Sequence, residues 1–162
     1  MDSKPSVRPY RADDLDQIVE IVRDLQRHEG ALYDRALPPE AIGGWYVENQ
    51  LRECAAANGV LLIAELDGAV AGYASLLAEV SSAGDHDEID YLYAYVQDLG
   101  VAQALRGRGI GTALLAACEE RARRAGRKWL RISVLAANAD ADRLYRRLGF
   151  DPHISMLEKA LD

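Results

Sequence analysis

Gly107, Gly109 and Gly111 alternate through the segment Arg106-Gly107-Arg108-Gly109-Ile110-Gly111-Thr112, which follows a β-rich run and leads straight into a helical stripe. A loop of this kind admits few folds. Glycines at alternate positions permit left-handed backbone and close approach to an anion. The helix that follows begins with amides lacking an internal acceptor, at the positive end of its dipole. Strand, glycine loop and helix in that order form one half of a βαβ crossover, and the helix start is suited to phosphate. Arg106 and Arg108 add positive charge there. The whole chain carries a formal net charge of −7 over 162 residues, so this loop is an electropositive island in an acidic protein. That balance also opposes general binding to nucleic acid and favours a cationic substrate.

The remaining pattern surrounds this crossover with alternating strands and helices. Val7-Arg8-Pro9 reads as a short strand, and Ala12-Asp13-Asp14 opens a helix with Leu15, Ile18, Val19, Val22 and Leu25 on one face. A second helix lies between Pro39 and Ala57. Val60–Leu66 and Ala69–Leu77 are β-rich runs joined by Asp67-Gly68, a strong signal for a two-residue hairpin. Ser81–Asp87 reads as a polar loop and Ile89–Val96 as a strand with Tyr91, Tyr93 and Tyr95 on one face; Gly100 just beyond suggests a bulge. Ile110, Leu114, Cys118 and Ala122 mark a helix ending at Gly126. Leu130, Ile132 and Val134 form a strand, Asn138 caps a helix that closes at Gly149, and His153–Lys159 reads as a final strand. The expectation is one domain over residues 1–162, of the α/β class, with a mixed central sheet flanked by helices.

No apolar run reaches the length of a membrane span, and Met1–Tyr10 is charged and proline-bearing where a secretory signal is apolar. A cytoplasmic protein without a membrane partner is expected. Cys54 and Cys118 lack the close spacing of a metal or redox pair, so reduced thiols and no metal site are expected.

Two other phosphate loops fit poorly. A Walker loop ends in Gly-Lys-Ser/Thr, and a dinucleotide fingerprint needs glycine where Thr112 stands. The spacing Arg106-x-x-Gly109-x-Gly111, preceded by Asp98-Leu99-Gly100-Val101, instead resembles the cofactor motif of the GNAT superfamily of N-acetyltransferases. Asn138, Ala141, Leu144, Tyr145, Gly149 and Phe150 are similar to that superfamily's second pattern, and the order of elements resembles its fold over nearly the whole chain.

The resemblance implies a GNAT-like acyl-CoA N-acyltransferase fold and acetyl-CoA as co-substrate. Its pyrophosphate would rest on amides from Arg108 to Thr112 (Gly109, Ile110 and Gly111 between them), beside Arg106 and Gly107. The backbone of Leu99 and Val101 would hold the pantetheine arm where a bulge, suited to Gly100, splays two strands. Asn138 would touch the far end of the cofactor, and Tyr145 would aim its hydroxyl at the sulfur. Dimers are common among relatives, so a homodimer is also implied.

Acetyl transfer to an amine needs a neutral amine, a stabilised oxyanion and a leaving thiolate. The amide of Leu99, or a neighbour freed by the bulge, is the oxyanion candidate. Asp98 is the candidate base, directly or through water, and the alternative is that it only hydrogen-bonds the bulge. Gln97 stands where polyamine-type members carry glutamate, which departs from their pattern. Tyr145 has two readings, a donor to the sulfur or a core residue on the stripe with Leu144 and Leu148. Tyr91, Tyr93 and Tyr95 read as packing more readily than as an acceptor pocket. His28 and Glu29 end the first helix, a region bordering the acceptor site in relatives, with His28 read as a surface residue. Glu119–Arg124 reads as a solvated helix face.

The expected activity is acetylation of a primary amine on a small cationic molecule, with contacts from Gln26–Ala57 and Ser81–Asp87. The alternatives are acetylation of a protein lysine or N-terminal amine, which needs an open groove, and a non-catalytic acyl-CoA-binding domain.

Overall fold

The computed structural model describes residues 3–84 and 87–161. Five strands form one sheet in the order β1-β2-β3-β4-β5: β1 Ser6–Pro9, β2 Val60–Leu66, β3 Ala69–Ser81, β4 Leu92–Val101 and β5 Leu130–Ile132. The first four are antiparallel neighbours, and β5 lies parallel to β4. Helices α1 (Leu15–Gly30) and α2 (Gly44–Ala56) cover one face. Helices α3 (Ile110–Arg124) and α4 (Ala139–Arg147) belong to the other.

Two apolar clusters follow from the pleat of β2. Leu61 and Ile63 pack with Ile18, Val22 and Val47 of the first helix pair, whereas Leu62, Ala64 and Leu66 pack with Ile110, Leu114 and Cys118 of α3. A strand covered on both faces reads as an unbroken apolar run, which is why Val60–Leu66 does not alternate. Each such side chain contributes about 1.5–3 kcal/mol on burial, so the two layers hold the sheet from both sides.

The β2–β3 turn forms as its two residues dictate. Asp67 and Gly68 have φ of 53° and 80°, the paired positive values of a type I′ turn. At the opposite corner Arg8 donates to Asp14 at 2.8 Å and to Glu65, tying β1 and β2 to the entry of α1. This ion pair holds the Asp14 carboxyl below the usual carboxylate range.

Five sequence expectations need correction, the first being the strand expected on Leu130, Ile132 and Val134, which ends at Ile132. The strand expected at Ile89–Val96 begins at Leu92 and runs on to Val101, with Ile89 itself 83% exposed. Strand β3 runs past Leu77 to Ser81, because Val80 and Ser81 pair with Tyr93 and Leu92; of the expected Ser81–Asp87 loop, residues 85–86 lie outside the described residues. The bulge is at Gln97, where pairing skips from Ser75↔Asp98 to Leu76↔Val96, and Gly100 pairs regularly with Tyr73. Gly100 is glycine for another reason: a Cβ there would stand 2.5 Å from Cε1 of the Tyr73 ring. Lastly, His153–Lys159 forms no strand, since residues 151–161 find no partner strand and leave Ile154, Met156 and Leu157 at least 78% exposed.

Candidate active site

β4 and β5 pair only from Ala94↔Leu130 to Val96↔Ile132. Pairing stops where the Gln97 bulge turns β4 aside, and the strands part there, as bulges commonly arrange. A cavity of about 760 Å³ opens at this fork, with Leu99 and Val101 on one wall and Ser133, Val134 and Leu135 on the other.

One end of the cavity is electropositive. Gly107 and Gly109 have φ of 75° and 78°, which glycine adopts without strain, and Gly109 precedes α3 with no side chain capping its first amides. Gly107, Gly109, Ile110, Gly111 and Thr112 all line the cavity. Arg106 lines it too, its guanidinium turned back towards the Val101 carbonyl at 3.4 Å, and Arg147 of α4 joins from across. Free amides at the start of a fifteen-residue helix, beside two guanidiniums, suit a pyrophosphate. Glycine spacing leaves room for close approach, since no atom beyond the adjoining residues lies within 4 Å of a Cβ built at Gly107 or Gly109. The donor set therefore fits a phosphate-bearing co-substrate.

Helix α4 supplies the middle of the cavity. Asn138 accepts from the Ala141 amide at 3.2 Å and caps the helix, and its residue also lines the cavity. Two turns on from Asn138, Tyr145 is 9% exposed, packed edge-on against Phe150 with ring centroids 6.0 Å apart. The residue belongs to the apolar cluster under α3 and also lines the cavity. No described residue hydrogen-bonds the hydroxyl. Burial first, then the nearby Asp98 and Glu29 carboxylates, push the phenol up to about 12.

Asp98 is placed differently. Its Oδ2 accepts from Tyr46 Oη at 2.7 Å and Tyr73 Oη at 2.8 Å, and the Leu99 amide also donates to the carboxylate. Desolvation pushes the carboxyl up, against these three donors. Asp98 is partly buried behind its two tyrosines and does not line the cavity. Nor do Gly100 and Arg108 line it: Gly100 lies under the Tyr73 ring, and Arg108 turns outward to Asp67 at 3.9 Å. Tyr93 stacks under Arg131, whose guanidinium lies 4.0 Å from the ring centroid, and Tyr95 Oη meets Ser133 Oγ at 3.0 Å, so neither tyrosine lines the cavity.

Sequence reasoning missed Arg147, which lines the cavity from the last turn of α4. It lies three residues beyond Leu144 and seven beyond Asp140, both cavity residues, and that helical spacing was the available signal. Tyr33, just past α1, was also missed. Among the described residues no group of three His, Cys, Asp or Glu could hold a metal ion, and none of the helices is long and apolar enough to cross a membrane.

Comparison with known proteins agrees with this architecture. Residues 19–150 match the model of the Acetyltransferase (GNAT) family. The chain is 30% identical over 85% of its length to the L-methionine sulfoximine/L-methionine sulfone acetyltransferase of Salmonella typhimurium, spanning 74% of that protein. It is 26% identical over 90% of its length to an uncharacterized N-acetyltransferase of Methanocaldococcus jannaschii, spanning 60% of it. The fold is similar to a GCN5-related N-acetyltransferase from Ralstonia eutropha, with TM-score 0.70, 23% identity and coverage of 96% and 98%. It is also similar to a transcriptional regulator from Bacillus halodurans, with TM-score 0.74, 22% identity and coverage of 97% and 99%.

A mixed sheet forked beside a glycine-lined helix start thus defines an acetyltransferase. The chain belongs to the GNAT family of acetyltransferases.

Proposed function

We propose that the protein moves the acetyl group of acetyl-CoA to the primary amine of a small cationic molecule. One observation carries this reading: a single cavity is lined by the start of α3, by Tyr145 and by the end of α1. Its volume lies within the about 300–1,000 Å³ common for small-molecule sites. The Salmonella typhimurium relative, an L-methionine sulfoximine/L-methionine sulfone acetyltransferase, supports a small amine-bearing acceptor.

In this reading Gly109, Ile110, Gly111 and Thr112 hold the pyrophosphate through their amides, with Gly107, Arg106 and Arg147 adding donors and charge. Leu99 and Val101 flank the pantetheine arm, and Asn138 borders it. When bound, acetyl-CoA supplies an acetyl thioester. Tyr145 then donates a hydrogen bond to the departing sulfur. With its phenol near 12 and a thiol near ~8.5, full proton transfer would run uphill by about 5 kcal/mol, so the hydrogen bond is the stabilising act. Asp98 holds Tyr46 and Tyr73 in place and is the carboxylate nominated to relay a proton through water.

A homodimer and a cytoplasmic location complete the reading. Support for the first is the exposure of Ile154, Met156, Leu157 and Leu161 in the 151–161 segment, apolar surface that a second copy would cover. Support for the second is the pair of free cysteines.

The test is CoA-thiol release from acetyl-CoA across a panel of polyamines, amino acid derivatives, aminoglycosides and lysine- or N-terminal-amine peptides. Turnover confined to small amines is expected. Turnover confined to peptides would replace this acceptor by a protein amine.

A further inference from the structure

The two ends of the cavity have opposite polarity. At one end α3 points its N-terminus inward, with Arg106 and Arg147. At the other, α1 ends at Gly30, and its last two turns contribute Leu25, His28 and Glu29 to the wall. A helix C-terminus is the negative end of its dipole and favours cations nearby. The gradient would set a phosphate-bearing donor and a cationic acceptor at opposite ends before any specific contact forms.

Glu29 is the carboxylate on that wall. Its side chain makes no hydrogen bond or ion pair with any described residue, whereas Asp98 already accepts from two tyrosines at 2.7 and 2.8 Å. The groups that surround Glu29 come from every neighbouring element: His28 on its own helix, Tyr46 of α2, Tyr73 of β3, Asp98 of β4 and Tyr145 of α4. The tyrosines are neutral, Tyr73 and Tyr145 buried and Tyr46 half-buried, and Asp98 is a like charge. A lone carboxylate in this setting lacks a cation, and an ammonium group supplies it.

We infer that Glu29 receives the acceptor's ammonium group and takes its proton, making it a catalytic residue on α1 in addition to any relay through Asp98. This rests on the proposed acetyl transfer. The step balances simply. The ammonium loses one proton to a Glu29 carboxylate oxygen, its nitrogen regains a lone pair, and the resulting carboxylic acid returns the proton to water after turnover. Desolvation, and then the Asp98 charge, raise Glu29 above the usual carboxylate range, bringing it closer to the amine it must deprotonate. The sign is that of a base: activity is lost as pH falls through the raised value and the carboxylate protonates.

The experiment compares the parent with Glu29→Gln and Glu29→Asp. Acetyl-CoA-induced thermal shift, kcat/KM against pH for the best amine of the panel, and carboxyl NMR signals during titration with putrescine are all recorded. Glu29→Gln should keep the thermal shift, lose about 100-fold in kcat/KM together with the acidic limb, and lose one putrescine-sensitive carboxyl signal. Glu29→Asp should recover part of the rate and retain a limb. A Glu29→Gln protein within twofold of the parent, or one whose acidic limb persists, overturns the assignment. So does a parent whose carboxyl signals all ignore putrescine. Absence of the thermal shift or of turnover in the parent itself is a separate result, which removes the acetyl-transfer reading and Glu29's role with it.

Discussion

Replacing Tyr145 by Phe removes one oxygen and leaves the ring that packs against Phe150. Since no described residue hydrogen-bonds the hydroxyl, its loss leaves no protein group unpaired, and the stability change should stay within about 0.5 kcal/mol. Turnover should behave differently. A hydrogen bond to sulfur that strengthens as the thiolate forms exists mainly in the transition state, so its loss falls on kcat with little change in KM. Acid assistance of this type is worth ~10²-fold, or about 2.7 kcal/mol of barrier. The phenol near 12 adds a pH signature. Tyr145 stays protonated throughout an ordinary assay range, its donor capacity being lost only as pH rises through about 12, so the substitution should lower the profile without moving a basic limb. The assay is steady-state kinetics with parallel melting curves. Turnover within about twofold of the parent, ~0.4 kcal/mol, would refute a role at the sulfur and leave Tyr145 as a core residue alone.

Three further outcomes are expected. Gly109→Val forces a β-branched residue into φ of 78° and blocks close approach to the α3 amides; the acetyl-CoA-induced gain of about 2.7 kcal/mol at 100-fold over Kd should largely vanish in thermal-shift assays. Asp14→Asn leaves Arg8 with Glu65 alone and should cost on the order of 3 kcal/mol in urea titration. Because Arg8 lowers the Asp14 carboxyl, that contribution is fully present above the unfolded value near ~3.9 and fades as pH falls through the folded one, so parent and variant should converge in acid. Removing residues 151–162 should turn a dimer into a monomer in sedimentation analysis; a parent that is already monomeric would sink the dimer.

The elements legible from sequence were those with local causes. Asp67-Gly68 declared a turn because few other pairs tolerate two positive φ values, Asn138 declared a helix start through its own cap, and Gly107 and Gly109 declared the loop through backbone freedom. What escaped depended on a second segment. The bulge at Gln97 follows from the register of β3 against β4, and Gly100 answers to the Tyr73 ring, which the sequence places far away. The apolar alternation around Ile154 and Met156 has the period of a strand, yet a strand exists only where an edge receives it. Within the site, the helical stripe of α4 brought Tyr145 forward, whereas Arg147 and Glu29 acquire meaning only once α1, α3 and α4 close around one cavity.

The most direct measurement follows the acetyl carbonyl itself. Purified protein is mixed with isotopically labelled acetyl-CoA and the small amines of the panel, and the thioester and amide carbonyl signals are recorded together, with Gly109→Val as control. The account predicts that thioester is lost in step with the appearance of an N-acetyl amide on a small cationic amine, and that the control does neither at the same co-substrate concentration. Thioester loss to free acetate with no amide formed, or amide formation undiminished in the Gly109→Val protein, would contradict it.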